Sequence, residues 1–134
     1  MLNILNKKSG MEGISGVSSD FRDLEEGAEK GNERCALARE KFAYEVKKLI
    51  GAYAAVMGGV DAIIFTAGVG ENDALERMQI ASGLEYMGVK MDEDANNVRG
   101  EERVISATDS KVKVLLIPTN EELMIAMDTA ALVG

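Results

Sequence analysis

VDAIIFTAGVGEN, residues 60–72, is the stretch that decides how this chain is read. Residues 60–66 are almost continuously apolar and β-branched, as in a strand covered on both faces. Gly68 and Gly70 follow, at the junction with a helical pattern over residues 73–83 for which Asn72 or Asp73 supplies the cap. Two glycines two apart let the backbone turn sharply and approach a ligand without a Cβ in the way. The first N–H groups of the next helix face the same space, and such groups favour anions. The pattern suggests a nucleotide-phosphate site, though a lone pair of glycines does not by itself outweigh an ordinary strand-to-helix turn. Asp73 stands where a dinucleotide fingerprint has its third glycine, and the Gly-Lys-Ser/Thr ending of a P-loop is absent.

Upstream of this junction, residues 32–57 are helical in pattern. Phe42, Val46, Leu49, Tyr53 and Val56 recur at spacings of four and three and line one face, leaving Arg39, Glu40, Lys47 and Lys48 largely on the others. Asn32 is placed to cap this helix and Gly58-Gly59 to end it. Its aromatics, Phe42, Tyr44 and Tyr53, read as packing groups. Residues 1–30 are rich in Gly, Ser, Asp and Lys and read as loop and short turns, with Gly10, Gly13 and Gly16 as punctuation. So polar an opening predicts the interior of something larger.

Downstream, ERVIS (residues 102–106) predicts a short strand, and VKVLLI (112–117) a second buried one, stopped by Pro118. Thr119 with Glu122 three residues on makes a capping box for a closing helix that runs to Val133. The order helix, strand, helix, strand, helix predicts an α/β layer structure with a largely parallel sheet flanked by helices.

Composition narrows the chemistry. The 134 residues suit about one domain, and a hydrophobic content of 46% supplies a core. With 15 basic against 23 acidic residues the formal charge is −8, which argues against duplex nucleic acid or an anionic membrane as partner. A single cysteine, Cys35, makes no internal disulfide and reads as a small apolar side chain in a helix. There is no histidine, so the Ser-His and Cys-His nucleophile pairs and histidine-ligated zinc are excluded. No apolar stretch approaches the length of a membrane span and no apolar signal core is visible, so a cytoplasmic protein is expected.

Two further segments bear on a nucleotide. In ISGVSSDFRDLE (residues 14–25), Asp20, Phe21 and Arg22 offer a carboxylate, an aromatic face and a guanidinium, suited to a ribose hydroxyl, an adenine face and a phosphate. The same loop could simply cap and turn, with Arg22 paired to a neighbouring acid. In IPTNEELMIA (117–126) a strand end delivers Glu121 to the first turn of the last helix. An acid there is favoured by the helix dipole alone; alternatively Glu121 helps hold a hydrated Mg2+, which needs only one or two carboxylates.

Taken together, LNKKSG (5–10), GISGVSSDFRDLE (13–25), IGAYAAVMGGVDAIIFTAGVGEN (50–72) and SKVKVLLIPTNEELMIA (110–126), in this order, resemble the acetate kinase family over nearly the whole chain. The resemblance implies a ribonuclease-H-like half-domain of the actin-like ATPase kind. Residues 1–134 would be a C-terminal nucleotide-binding domain, with the N-terminal acyl-substrate domain outside this chain. It implies reversible transfer of the γ-phosphoryl of ATP to acetate, giving acetyl phosphate and ADP. Asp20, Phe21 and Arg22 fall on the family's adenosine triplet, Gly68, Val69, Gly70, Glu71 and Asn72 on its second ATP loop, and Glu121 on its magnesium glutamate. A homodimer is also implied. The family's acetate-positioning groups lie upstream of Leu5, so no catalytic residue is assigned within this chain and the piece alone is expected to be nearly inactive. The alternatives are a free-standing nucleotide-binding or dimerisation module, and a propionate or butyrate kinase of the same family.

Overall fold

In the computed structural model, which describes residues 2–134, helices dominate and a small sheet carries the core. Residues 1–30 are the first departure from expectation. Apart from Met1, which lies outside the described residues, they form three short helices: α1 (Leu2–Lys7), α2 (Gly10–Ser15) and α3 (Phe21–Glu29). Gly10 and Gly16 do punctuate, at φ of 60° and 70°. The polar composition arises because each helix buries little: α3 contributes Leu24 to the interior, helped at the edges by Met11, Ile14 and Ala28. Segments this short give no repeating apolar period to read.

The long helix, α4 (Glu33–Met57), follows expectation at both ends. The Asn32 side chain accepts from the Arg34 and Cys35 amides, and Gly58 closes the helix in the left-handed conformation at φ 78°. At 25 residues it spans about 37 Å. Its buried face differs from the periodic one. Cys35, Ala38, Arg39, Ala43 and Ala54 are buried, whereas Leu49, Tyr53 and Val56 are exposed, Val56 by 86%. α2 and α3 pack on its first half through Leu24, Cys35 and Ala38. The sheet and α6 (Ala74–Ala81) pack on its middle.

The sheet has three strands in the order β1 (Ala62–Phe65), β3 (Lys113–Leu116), β2 (Arg103–Val104). β1 and β3 run parallel with Phe65 opposite Leu116, but β2 pairs antiparallel with β3, so the sheet is mixed rather than largely parallel. Nor is β1 covered on both faces. Phe65, Val114 and Leu116 point into the core, while Ala62, Ile64 and Lys113 on the opposite face are exposed. The core joins these residues to Ile80, Leu84, Val89, Ile105 and Val112.

Between β1 and α6 the expected glycine turn is itself a helix, α5 (Ala67–Asn72). The Asp73 side chain then accepts from the Glu76 amide and caps α6. A 3-10 turn over Glu85–Met87 and a short helix, α7 (Glu93–Asn96), fill the connection to β2. The last helix, α8 (Glu121–Val133), starts later than the capping box implies. Asn120 caps it by accepting from the Leu123 amide, because Thr119 is engaged with Glu71. Every residue of α8 is exposed.

The contact between α3 and α4 is tight enough to test. A Cβ added at Gly27 would lie 2.6 Å from Cys35 Sγ and 3.2 Å from its Cβ. Alanine should gain about 0.5–1 kcal/mol in a helix interior, yet Gly27→Ala is expected to cost a net 1–3 kcal/mol, roughly, through overpacking. Adding Cys35→Ala should recover part of that loss in urea unfolding. Strictly additive losses would contradict the contact.

Candidate nucleotide site

A cleft of about 550 Å3 opens between the start of α3 and the α5 segment. Its first wall is Ser19, Asp20, Phe21 and Arg22, and a chain of local hydrogen bonds holds it. Ser15 Oγ accepts from the Val17 and Ser18 amides, and Ser18 Oγ accepts from the Asp20 amide. Asp20 caps α3 by accepting from the Arg22 amide at 2.9 Å and also takes both Nε and Nη2 of Arg22, at 3.1 and 2.7 Å. Phe21 meets Phe42 of α4 edge to face, with centroids 4.7 Å apart. Arg34 steadies the segment before this wall by donating to the Ile14 and Gly13 carbonyls.

The second wall is Gly68, Val69 and Asn72. The chain leaves β1 through an extended Thr66 and then enters the left-handed region at Ala67, φ 58°. That is a strained conformation for a residue with a Cβ, and such strain gathers at functional sites. The glycines are therefore not what turns the chain. A Cβ at Gly68 would meet nothing within 4 Å, and one at Gly70 would make ordinary contact with Phe65. Nothing in the fold itself requires glycine at 68.

This strained turn is braced by Glu71. Its Oε1 accepts from the Ala67 amide at 2.6 Å, the Thr119 amide at 2.8 Å and the Thr119 hydroxyl at 2.9 Å. Those bonds, led by the Thr119 amide, hold the Glu71 carboxyl below its ordinary value. The Asn72 side-chain Nδ2 donates to the Gly68 carbonyl, and the Gly100 backbone amide to the Glu71 carbonyl.

Under the cleft lie two arginines. Arg39 is buried and reaches Asp73 at 2.6 Å, Glu76 at 3.2 Å and Glu25 at 3.9 Å. Burial raises the pKa of the Glu76 carboxyl, and its Oε1 has no partner among the described residues. Arg77 is wholly buried and donates to the Gly70, Asn96 and Val98 carbonyls and to Asn96 Oδ1. The opening presents Asp20, Glu25 and Asp73 alongside Arg22 and Arg99. Carboxylates can accept from hydroxyls and amines while guanidinium groups meet an anion, so the lining suits a ligand that carries both.

Of the residues singled out in the sequence, Asp20, Phe21, Arg22, Gly68, Val69 and Asn72 meet in this one cleft. Gly70 lines a smaller cavity of about 190 Å3 with Glu76 and Arg77. The Glu71 carboxylate turns to Thr119. Glu121 is exposed at the start of α8 and does not line the cleft. Among the described residues no group of three or more Asp, Glu or Cys could hold a metal. Glu121, an exposed carboxylate with no ion pair among the described residues, fits a cation that keeps most of its waters and takes phosphate oxygens, as Mg2+ does. Sequence reading missed Arg99, Glu25, Asp73, Arg39 and Arg77 as site residues. The periodic reading sets Arg39 off the apolar face, but it is buried, and a signal existed: it lies four residues after Cys35 and three before Phe42, spacings that share a helix face.

Comparison with known proteins gives a consistent outcome. The sequence model of the acetokinase family matches residues 1–127. The chain is 64% identical over 134 residues to an acetate kinase of Dictyoglomus turgidum, covering all of this chain and 33% of that protein. Its fold superposes on a crystal structure of Porphyromonas gingivalis acetate kinase with a TM-score of 0.93 at 48% identity, covering 99% of this chain and 34% of the other. A propionate kinase from Francisella tularensis matches with a TM-score of 0.82 at 39% identity, over 93% and 32% of the two chains. The chain spans about a third of the length of the curated relatives it matches.

The Asp20–Arg22 pair sets a pH dependence. Arg22 side-chain hydrogen bonds, and then its amide, lower the Asp20 carboxyl from 3.8 to about 2. A depressed folded value means the stabilisation is complete above 3.8 and is lost as pH falls toward about 2. An NMR titration should place the Asp20 midpoint near 2 and return it toward 3.8 in Arg22→Ala. An ordinary midpoint in the unaltered chain would mean that the pair does not form.

Proposed function

The chain belongs to the acetokinase family, and from that premise we propose that it carries the nucleotide side of an acetate kinase. The whole protein would move the γ-phosphoryl of ATP to acetate, reversibly, giving acetyl phosphate and ADP. The single observation that carries the reading is the meeting of Asp20, Phe21 and Arg22 with Gly68, Val69 and Asn72 in one cleft. The adenosine lies against Phe21, with Asp20 accepting from ribose hydroxyls and Arg22 facing a phosphate. Gly68, Val69, Gly70, Glu71 and Asn72 form the loop that runs beside the phosphates. Glu121 would hold Mg2+ through its waters, and the ion would neutralise charge on the phosphate oxygens. Phosphoryl transfer depends mostly on positioning and charge neutralisation, so the residues of this chain act by holding the donor.

The fold reading extends the same way: α4, α6 and the sheet form a ribonuclease-H-like half of an actin-like ATPase. The groups that position the acyl substrate are expected outside these residues, none of which is a histidine. We place the protein in the cytoplasm and as a homodimer, which light scattering would check. Among the described residues no helix is long and apolar enough to cross a membrane. The likeness to a propionate kinase keeps a longer acyl acceptor as the second reading.

Two measurements test the proposal. MgADP should bind the 134-residue chain saturably in a calorimetric titration. Gly68→Ala should leave the melting temperature equal or higher, since its Cβ meets nothing in the fold, while weakening MgADP by about tenfold, or 1.4 kcal/mol. An unaltered affinity would remove the ligand from that wall. In an acetyl-phosphate assay the chain alone should fall far below the usual kinase range of about 1–100 per second.

A further inference from the structure

Glu71 sits in the proposed nucleotide loop, yet its carboxylate is already committed within the chain. One oxygen, Oε1, receives three donors: the Ala67 amide, the Thr119 amide and the Thr119 hydroxyl. These donors come from the two places where the parallel strands β1 and β3 end. Ala67 follows β1 and carries the strained φ of 58°. Thr119 follows β3 and stands two residues before Glu121. The next residue, Asn120, caps α8 through the Leu123 amide at 3.0 Å. α8 is exposed along its whole length, and this short link runs from the loop to its first turn.

We propose that Glu71 is a positioning residue, joining the glycine loop to the segment that carries Glu121, so that nucleotide phosphate and a divalent cation bind as a coupled pair. The inference rests on the nucleotide reading above and changes the part Glu71 plays in it: Glu71 holds the loop and does not touch the ligand. A loop displacement at Ala67–Asn72 is carried through one carboxylate oxygen to Thr119 and thence to the start of α8. The lowered carboxyl of Glu71 agrees with an anion held by three donors. Supports that orient a metal ligand at one remove are typically worth about 10–100-fold in metal affinity.

The experiment titrates ADP, with and without Mg2+, into the unaltered chain, Glu71→Gln and Glu71→Ala, and follows hydrogen exchange at the Ala67 and Thr119 amides. ADP alone supplies each protein's own baseline, weaker in Glu71→Ala because its loop has lost a brace. Mg2+ should tighten ADP in the unaltered chain, and Glu71→Ala should lose about tenfold or more of that tightening. Glutamine keeps an accepting Oε1 and should recover most of it. Exchange at both amides should quicken in Glu71→Ala and stay slow in Glu71→Gln. Equal Mg2+ dependence in all three proteins overturns the coupling while leaving nucleotide binding intact. Weaker binding of ADP alone in both variants also overturns it, by making Glu71 a direct contact. No uptake of ADP by the unaltered chain defeats the nucleotide reading itself, and this inference with it. If Glu71→Ala does not fold, Thr119→Val removes one donor of the three and should show a smaller loss in the same direction.

Discussion

The wholly buried guanidinium of Arg77 is the constraint on which the site depends. No carboxylate pairs with it among the described residues. Instead it donates to three backbone carbonyls and one side-chain amide oxygen, between 2.6 and 2.9 Å. Burial lowers its pKa, but an arginine remains charged in any protein interior. Moving such a charge out of water costs several kcal/mol by itself, roughly, and only a full set of acceptors offsets that. Gly70, in the middle of the proposed phosphate loop, is one of those acceptors, and Asn96 and Val98 are the others. The loop and the α7 region are thus fixed to each other from beneath, because neither can withdraw without orphaning a buried cation. Asn96 extends the tie by donating to the Ala74 carbonyl at 2.9 Å.

That rigid floor lets a strained turn persist above it. A non-glycine residue at positive φ costs of order 1–3 kcal/mol unless its surroundings over-determine it. At Ala67 the surroundings do so: Glu71 receives the Ala67 amide while Arg77 holds the carbonyl three residues further on. The chain turns at an alanine, leaving Gly68 free of any conformational duty and bare toward the cleft. A glycine without a role in its own fold is easiest to understand as room for something else.

Much of this was legible in the sequence, and the gaps have physical causes. The strand, the following helix and the cap at Asp73 come from short-range rules, as do Asn32 and Gly58 at the ends of α4. The meeting of residues 20–22 with residues 68–72 was implied by family resemblance, since no local pattern specifies which loops converge. The helical opening was not legible because none of its helices buries more than one side chain among the described residues. The buried faces of Arg39 and Arg77 were missed because charge reads as exposure until the partners are known. The capping box at Thr119 failed for a related reason: a hydroxyl has several candidate partners, and the long-range one, Glu71, prevailed over the local one. The antiparallel pairing of β2 rests on two residues, too few for any period to show.

The two walls of the cleft are held by unequal means, and this bears on how the site can respond to a ligand. The wall at residues 68–73 is pinned to α4 by Arg39 and Asp73, at 2.6 Å and with both side chains mostly buried. The wall at residues 19–25 is tied to the same arginine only through Glu25, at 3.9 Å and a third exposed, where solvent screening leaves an ion pair little strength. Beyond its local hydrogen bonds, what ties that wall to α4 is apolar contact: Leu24 against Cys35 and Ala38, and Phe21 against Phe42. Apolar contact is non-directional, so it tolerates a small sliding of α3 along α4 better than a hydrogen-bonded arginine does. If the cleft adjusts to a nucleotide, the α3 wall is the one that moves further. The proposed phosphate loop is held more firmly, by Arg39, Arg77 and Glu71.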